Sequence, residues 1–354
     1  MRRIALVCLF SLVCFFVTAQ NLDEFEYDFE LYDDQAEPET EGIEEKRQVP
    51  SGGNSGDFGF VIYEDRVTIT AYSGELTEII IPAEIQGMPV TAIGYRAFAG
   101  SEITELTLPD GLSYIGSGAF YGNRLTRLLI PDSVTDIGTE AFANNQLTEL
   151  TLGKGISILR DSVFENNRLS SVEIPQGLVK IGSRAFAGNE LMDVCIPPGV
   201  TEINSWAFAG NQLMGVEIPG SVTAILYKAF ENNRLGWVIL GEGLAVIRDS
   251  AFANNYLGGV LIPDSVTVIG DHAFENNWIT NVIFGNSIDE IGSLAFAGNR
   301  LLSVIIPDSI NTLGDDVFGD TPLRYAYNGM VMNSQMALEA ELGKRPLVGK
   351  FLGP

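Results

Sequence analysis

Histidine is almost missing from this sequence: His272 is the only one in 354 residues, and there are three cysteines. Zinc and haem centres draw on clusters of those residue types, and no Asp-rich loop has the spacing of a calcium site. The reading is therefore of a chain without metal or cofactor. Basic residues are scarce too, 21 Lys and Arg against 46 Asp and Glu, for a formal charge of −25. Phosphate recognition needs a concentrated cationic surface, so nucleic acid is excluded as a partner, and adsorption to anionic lipid is disfavoured. The acidic excess bears on solubility, not on fold.

Two of the three cysteines, Cys8 and Cys14, lie in Met1 to Gln20. Arg2 and Arg3, an apolar run from Ile4 to Val17 and the small-residue site Val17-Thr18-Ala19 read as a secretory signal over residues 1–19. About 14 apolar residues are short for a membrane span. The alternative, a lipidated Cys14, meets Ser11-Leu12-Val13, which lacks the small residue usually required before the cysteine. After cleavage Cys195 stands alone, with no internal disulfide framework, so the core must hold the fold. No sortase-type motif or terminal span is present. The expected location is secreted, periplasmic or cell-surface.

Residues 20–57 read as a linker. Twelve carboxylates fall between positions 21 and 47 against Lys46 and Arg47, and Ser51-Gly52-Gly53-Asn54-Ser55-Gly56 follows as a flexible tether. Phe25, Tyr27, Phe29, Leu31 and Tyr32 interleave with the acids, which suits a solvated spacer or a docking motif.

What the chain does have is a strict period. Phe stands at 98 and at every twenty-second residue to 318, without insertion or deletion. An Ile or Leu precedes each Phe by five residues, and apolar residues follow at five, eight and, except after the last, ten, as in Leu147, Leu150 and Leu152 after Phe142. Periods of 20–29 residues with recurring Leu or Ile mark stacked solenoids, in which each unit buries its apolar side against its neighbours. The alternation in Glu149-Leu150-Thr151-Leu152 is that of a short strand. Pro or Gly ends that strand in ten units, often before Asp-Ser or Asp-Gly, which is turn chemistry. The Ala-Phe dipeptide fills the core from a tight turn or arc. Asn recurs three after the Phe from Asn123 to Asn299; its bent backbone needs a side chain to satisfy it, and stacked copies are expected to bond one another.

Residues 58–90 read as an N-terminal cap with a divergent first repeat: Phe60-Val61-Ile62-Tyr63 and Val67-Thr68-Ile69-Thr70 form a hairpin, and Glu78 to Pro82 matches the later strands. The array spans 91–321, and 322–354 breaks the pattern as a C-terminal cap or tail, with a short helix expected over 333–343. The fold class is a β-rich leucine-rich-repeat solenoid of about eleven 22-residue coils, roughly 50 Å along its axis at sheet spacing.

Ile137-Gly138-Thr139-Glu140-Ala141-Phe142-Ala143-Asn144-Asn145 and Leu128-Leu129-Ile130-Pro131-Asp132-Ser133-Val134 resemble the BspA-like, treponemal-type leucine-rich repeat family of surface proteins. The match covers 58–321, including the leader Pro89-Val90-Thr91-Ala92-Ile93-Gly94, although the usual family unit is one residue longer. The resemblance implies an exported bacterial protein that binds host matrix proteins or other cells.

Strand residues between the inward positions face out on the expected continuous sheet. Seven and nine residues after the Phe, the first half of the array is polar: Glu105, Arg127, Glu149, Glu173, Asp193 and Glu217. The second half carries Trp237, Ile239, Leu261, Ile283 and Ile305, with Tyr256 and Trp278 just upstream of neighbouring strands. Such an aromatic-aliphatic stripe suits a protein-binding patch; cover by the tail and cross-strand packing are the competing explanations. Three functions follow in order: adhesion through this face, a self-associating envelope scaffold, and carbohydrate binding by Trp237 and Trp278. Catalysis is not expected. His272 sits in a variable repeat slot shared with Arg96, Glu140 and Lys228, with no nucleophile–base arrangement about it, and the carboxylates occupy surface slots.

Overall fold

The computed structural model describes residues 51–328; the signal, acidic stretch and helix readings, over 1–19, 21–47 and 333–343, lie outside them. Among the described residues there is no helix. The chain winds as about eleven coils, each made of an outer segment, a Pro or Gly turn, a second strand and an arc that carries the Phe; the outer segment is a strand in every coil but those at 171–173 and 193–195.

The arc is the hinge of each coil. In the coil of Phe142, Glu140 (φ 57°) and Asn144 (φ 56°) both adopt the left-handed conformation, two residues either side of the ring. Between them, short i→i+3 bonds run from the Ala141 N–H to the Gly138 carbonyl and from the Ala143 N–H to the Glu140 carbonyl, at 3.2 and 3.0 Å. The N–H groups of Glu140, Phe142 and Asn144 then point along the axis and donate to Asp161, Val163 and Glu165 of the next coil at 2.9–3.0 Å. Left-handed residues bracket every Phe from 98 to 318, because the same bend is needed in each coil.

Inside, the Phe rings stack as one column from Phe98 to Phe318, with centroids 5.0–5.9 Å apart and planes within 3–24°. Burial of the rings and of the flanking Ile, Leu and Ala supplies the main stabilisation, at about 25 cal/mol per Å². The recurring Asn is buried beside each ring, 1–7% exposed. Asn145 donates through Nδ2 to the Phe120 and Phe142 carbonyls at 3.0 and 3.1 Å, and its Oδ1 accepts from the Leu125 N–H at 3.1 Å. Each copy therefore sews two coils through their backbones. The expected Asn-to-Asn bonds occur instead one position earlier, on the exposed side, in Asn166 to Asn144 and Asn276 to Asn254.

Sheet continuity differs from expectation. The second strands form the long ladders: Met88–Ile93, Tyr114–Ile115 and Asp136–Ile137 extend the N-terminal sheet, and eight strands from Ile158–Leu159 to Thr312–Leu313 make another, all parallel and one coil out of step. The outer strands bond only in pairs, such as Arg127–Leu129 with Glu149–Thr151, Gly215–Glu217 with Trp237–Ile239, and Gly259–Leu261 with Asn281–Ile283. The arcs and second strands already fix the coil spacing, so the outer strands need not close every gap. Register is nonetheless kept at 22 residues throughout these pairs.

Both ends depart from the sequence reading. Ser51–Ser55, which the composition places in the linker, is strand β1; it pairs antiparallel with β2 (Phe58–Tyr63), which pairs with β3 (Arg66–Tyr72). Backbone pairing along the open edge of β2 outweighs the flexibility of its Gly and Ser. Phe58 and Tyr72 pack on Phe98 at 6.2 and 5.4 Å, so the cap prolongs the ring column and shields its first member. Glu78–Ile80 pairs with Glu105–Thr107, as the later outer strands do. At the other end, residues 322–328, which the sequence pattern assigns to the tail, continue the solenoid: Tyr325–Asn328 pairs with Ser303–Ile306 in the same 22-residue register, and Leu323 packs on the core.

Candidate functional site

Period-two alternation in the outer strands sends Val238, Val260, Val282 and Val304 toward the core and their neighbours outward. Trp237, Ile239, Tyr256, Leu261, Trp278, Ile283 and Ile305 all stand on the surface, 47–61% exposed. The pairings Glu217↔Ile239 and Leu261↔Ile283 place successive members one coil apart. Glu105, Arg127, Glu149, Glu173, Asp193 and Glu217 occupy the same outward positions in the earlier coils and are also exposed. Arg127 Nε lies 3.6 Å from Glu149 Oε2, an exposed pair of small energetic weight.

Each aromatic has its own local role. Trp237 is in register with Gly215, and its indole fills the space that a Cβ on Gly215 would occupy. A glycine in a strand leaves a gap in the sheet, and here the neighbouring indole closes it. Tyr256 and Trp278 lie against each other with centroids 4.7 Å apart and planes tilted by 35°. The Arg300 guanidinium covers Trp278 at 4.5 Å from the ring centroid, a cation–π contact. The two rings thus turn faces to each other and to Arg300.

Sequence reasoning missed part of this surface. Met192, Met214 and Leu302 are exposed as well, 48–59%, and extend the stripe on both sides. They lie six residues after the Phe, immediately before the outer strand. That column reads Thr, Thr, Thr, Ser in the earlier coils, and its change to Met was the available signal. From Arg234 to Ile305 the positions four, six, seven and nine after each Phe hold no Asp or Glu, although the chain carries −25.

Other chemistry lies elsewhere. His272 is in an arc, in the left-handed conformation (φ 57°), with Nδ1 2.9 Å from Glu275 Oε2. Lys228 contacts Glu231 at 3.4 Å and the Tyr227 ring. Burial opposes its charge, but the Tyr227 hydroxyl and Glu231 hold its pKa above the ordinary lysine value. Trp206, packed edge-on against Tyr227, is covered by Arg184 at 4.7 Å. Among the described residues no three His, Cys, Asp or Glu side chains gather as metal ligands, and no helix is long and apolar enough to cross a membrane. Cys195 is exposed nine residues after Phe186, in a coil whose outer segment forms no strand.

The chain resembles several solved structures. A leucine-rich cell surface protein from Faecalibacterium prausnitzii is 25% identical, with a TM-score of 0.52 over 82% of this chain and 97% of that one. A leucine-rich repeat protein from Bacteroides ovatus is 21% identical, with a TM-score of 0.58 over 79% and 88%. The pneumococcal vaccine antigen PcpA is 19% identical, with a TM-score of 0.50 over 80% and 82%. No curated protein matches the sequence. The model of the BspA-type leucine-rich repeat region matches residues 70–191 and 201–324 in six copies. With its 22-residue coils, ring column and asparagine ladder, the chain belongs to the BspA-type leucine-rich repeat family.

Proposed function

We propose that this chain is an exported protein-binding module that acts in adhesion, recognising a host matrix or cell-surface protein through its outward strand face. The observation that carries the reading is the exposed aromatic-aliphatic stripe from Trp237 to Ile305, free of carboxylates in a strongly acidic chain. Aromatic anchors ringed by weaker contacts are where protein interfaces concentrate their energy. Likeness to a cell surface protein of Faecalibacterium prausnitzii supports display outside the cell. Carbohydrate binding has less support, since a sugar needs an open ring face and those of Tyr256 and Trp278 cover each other. Among the described residues His272 faces only Glu275, an arrangement without a nucleophile beside it.

The test is attachment of the purified mature chain to immobilised matrix proteins and to host cells. The doubly substituted variant Trp237→Ser/Ile283→Asp should lose attachment while its melting temperature stays close to that of the parent. Attachment that survives in this variant rejects the proposal.

A further inference from the structure

Charge on the outward face changes along the solenoid axis. At the positions four, six, seven and nine after each Phe, exposed carboxylates recur from Glu102 to Glu217, in the coils of Phe98 to Phe208. In the coils of Phe230 to Phe318 the same positions hold Arg234, Arg300 and Arg324, all exposed, and no carboxylate. The arginines of the two parts also differ in their partners. Arg124 lies 2.8 Å from Glu102, and Arg127 lies 3.6 Å from Glu149. Among the described residues no Asp or Glu lies within ion-pair distance of Arg234, Arg300 or Arg324. Arg300 instead lies over the Trp278 ring. A guanidinium stacked on a ring keeps its N–H donors in its own plane, where a carboxylate accepts two of them. In a chain of −25, arginines without carboxylates beside exposed Trp237, Leu261 and Ile283 complement a ligand that is both acidic and apolar.

Resting on the protein-binding reading above, we propose that this face takes an acidic segment of a partner protein, with carboxylates at Arg234 and Arg300 and an apolar centre between them. Arg234, Tyr256, Trp278 and Arg300 hold one position of four successive coils. The two cations are therefore three coil steps apart, roughly 14 Å at sheet spacing. Leu261 and Ile283 stand five residues after Tyr256 and Trp278 in the same coils, so apolar surface lies beside the aromatic pair. Trp, Tyr and Arg are the residue types that dominate interface energies. The carboxylates from Glu102 to Glu217 then set the register, because the same ligand moved toward those coils meets like charge. An anionic polysaccharide would leave Leu261 and Ile283 without apolar cover. A second copy of this chain, laid stripe on stripe, would set arginine against arginine and −25 against −25.

The experiment measures binding of a fluorescent peptide to the mature chain. The probe has about twelve residues, long enough to span both arginines, with glutamates on each side of a Leu-Phe-Leu centre in a Ser/Gly background. Three analogues carry Gln for each Glu, Lys for each Glu, or Ser for each apolar residue. The probe should bind at least about tenfold more tightly than any of them. Arg234→Glu/Arg300→Glu should weaken the probe by at least about tenfold and take up the lysine analogue, with unchanged melting. Arg234→Lys/Arg300→Lys should keep the preference for glutamate. Equal binding of the glutamine analogue, or wild-type binding by the charge-reversed chain, overturns the proposal. Equal binding of the serine analogue, or of a heparin oligosaccharide, also overturns it, since charge alone would then suffice. Sedimentation as a dimer that Ile283→Asp separates would assign the face to a second copy instead. If attachment fails in Trp237→Ser/Ile283→Asp while the peptides show no charge preference, the binding face stands and its acidic ligand does not.

Discussion

Replacing Asn189 with alanine probes how the coils are joined. Asn189 Nδ2 donates to the Phe164 carbonyl at 2.9 Å and the Phe186 carbonyl at 3.1 Å, and its Oδ1 accepts from the Leu169 N–H at 3.1 Å. The side chain is 5% exposed, so water cannot take over these bonds in the closed structure. Alanine strands one buried donor, the Leu169 N–H, while the Phe164 and Phe186 carbonyls each lose one bond and keep another, from Asn167 at 3.1 Å and Asn211 at 2.9 Å. At about 1–3 kcal/mol for the unsatisfied N–H and about 0.5–1.5 kcal/mol for each of the two lost Nδ2 bonds, the loss should reach about 2–6 kcal/mol. That is a large fraction of the ~5–15 kcal/mol typical of a folded domain. Because solenoid units contact only their neighbours, the damage should concentrate in the coils on either side. Urea unfolding measures the total, and hydrogen exchange locates it: the Leu169 amide should lose protection first, before amides near Phe296. Asn189→Asp keeps the acceptor, loses both donors and buries a charge, so it should cost at least as much. A loss below about 1 kcal/mol with Leu169 still protected would refute the reasoning.

Other perturbations test other parts. Glu140 adopts φ 57°, a conformation that costs a non-glycine residue about 1–2 kcal/mol; Glu140→Asn should raise stability by about 0.5–1 kcal/mol in urea unfolding, since Asn tolerates this region. Gly215→Val should destabilise the chain by displacing the Trp237 indole, and Trp237→Ala should recover most of that loss in a double-mutant cycle. Lys228 has a pKa raised above 10.5 in the fold, with burial opposing the shift and Tyr227 and Glu231 producing it. Its stabilisation is therefore fully present below the unfolded value and is lost as pH rises through the folded one; the alkaline fall in melting temperature should be smaller in Lys228→Met.

The columns explain which features could be read in advance. Phe98 to Phe318, the Leu and Ile at fixed offsets and Asn123 to Asn299 each serve one role in every coil, so their chemistry repeats visibly. The outward set was legible for the same reason, since alternation around Val238, Val260 and Val282 leaves Ile239, Leu261 and Ile283 no other side. The left-handed site two residues before each Phe was not legible. It holds Arg96, Glu140, Trp206, Lys228, His272 and Leu294, types that give no backbone signal; the Gly, Asn and Asp two residues after each Phe were the visible half of the bend. Strand β1 escaped notice because Ser and Gly carry no strand preference and its partner, β2, supplies the order. The coil through Asn328 was hidden by Tyr325 and Tyr327, although Leu323 and Ala326 keep to the repeat columns. Pairwise bonding of the outer strands leaves no trace in sequence, because the side-chain alternation is the same whether or not neighbouring backbones bond.

The most direct test of the account compares its two faces in one attachment assay. One variant carries Ile239→Asp and Ile283→Asp on the outward strands; the other carries Thr223→Asp and Thr267→Asp, each immediately before a second strand and exposed to solvent. Both add the same charge to the same scaffold. The account predicts that the first loses attachment to protein-coated surfaces and the second retains it, with matched melting temperatures. Equal attachment by the two, or loss in the second alone, would contradict it.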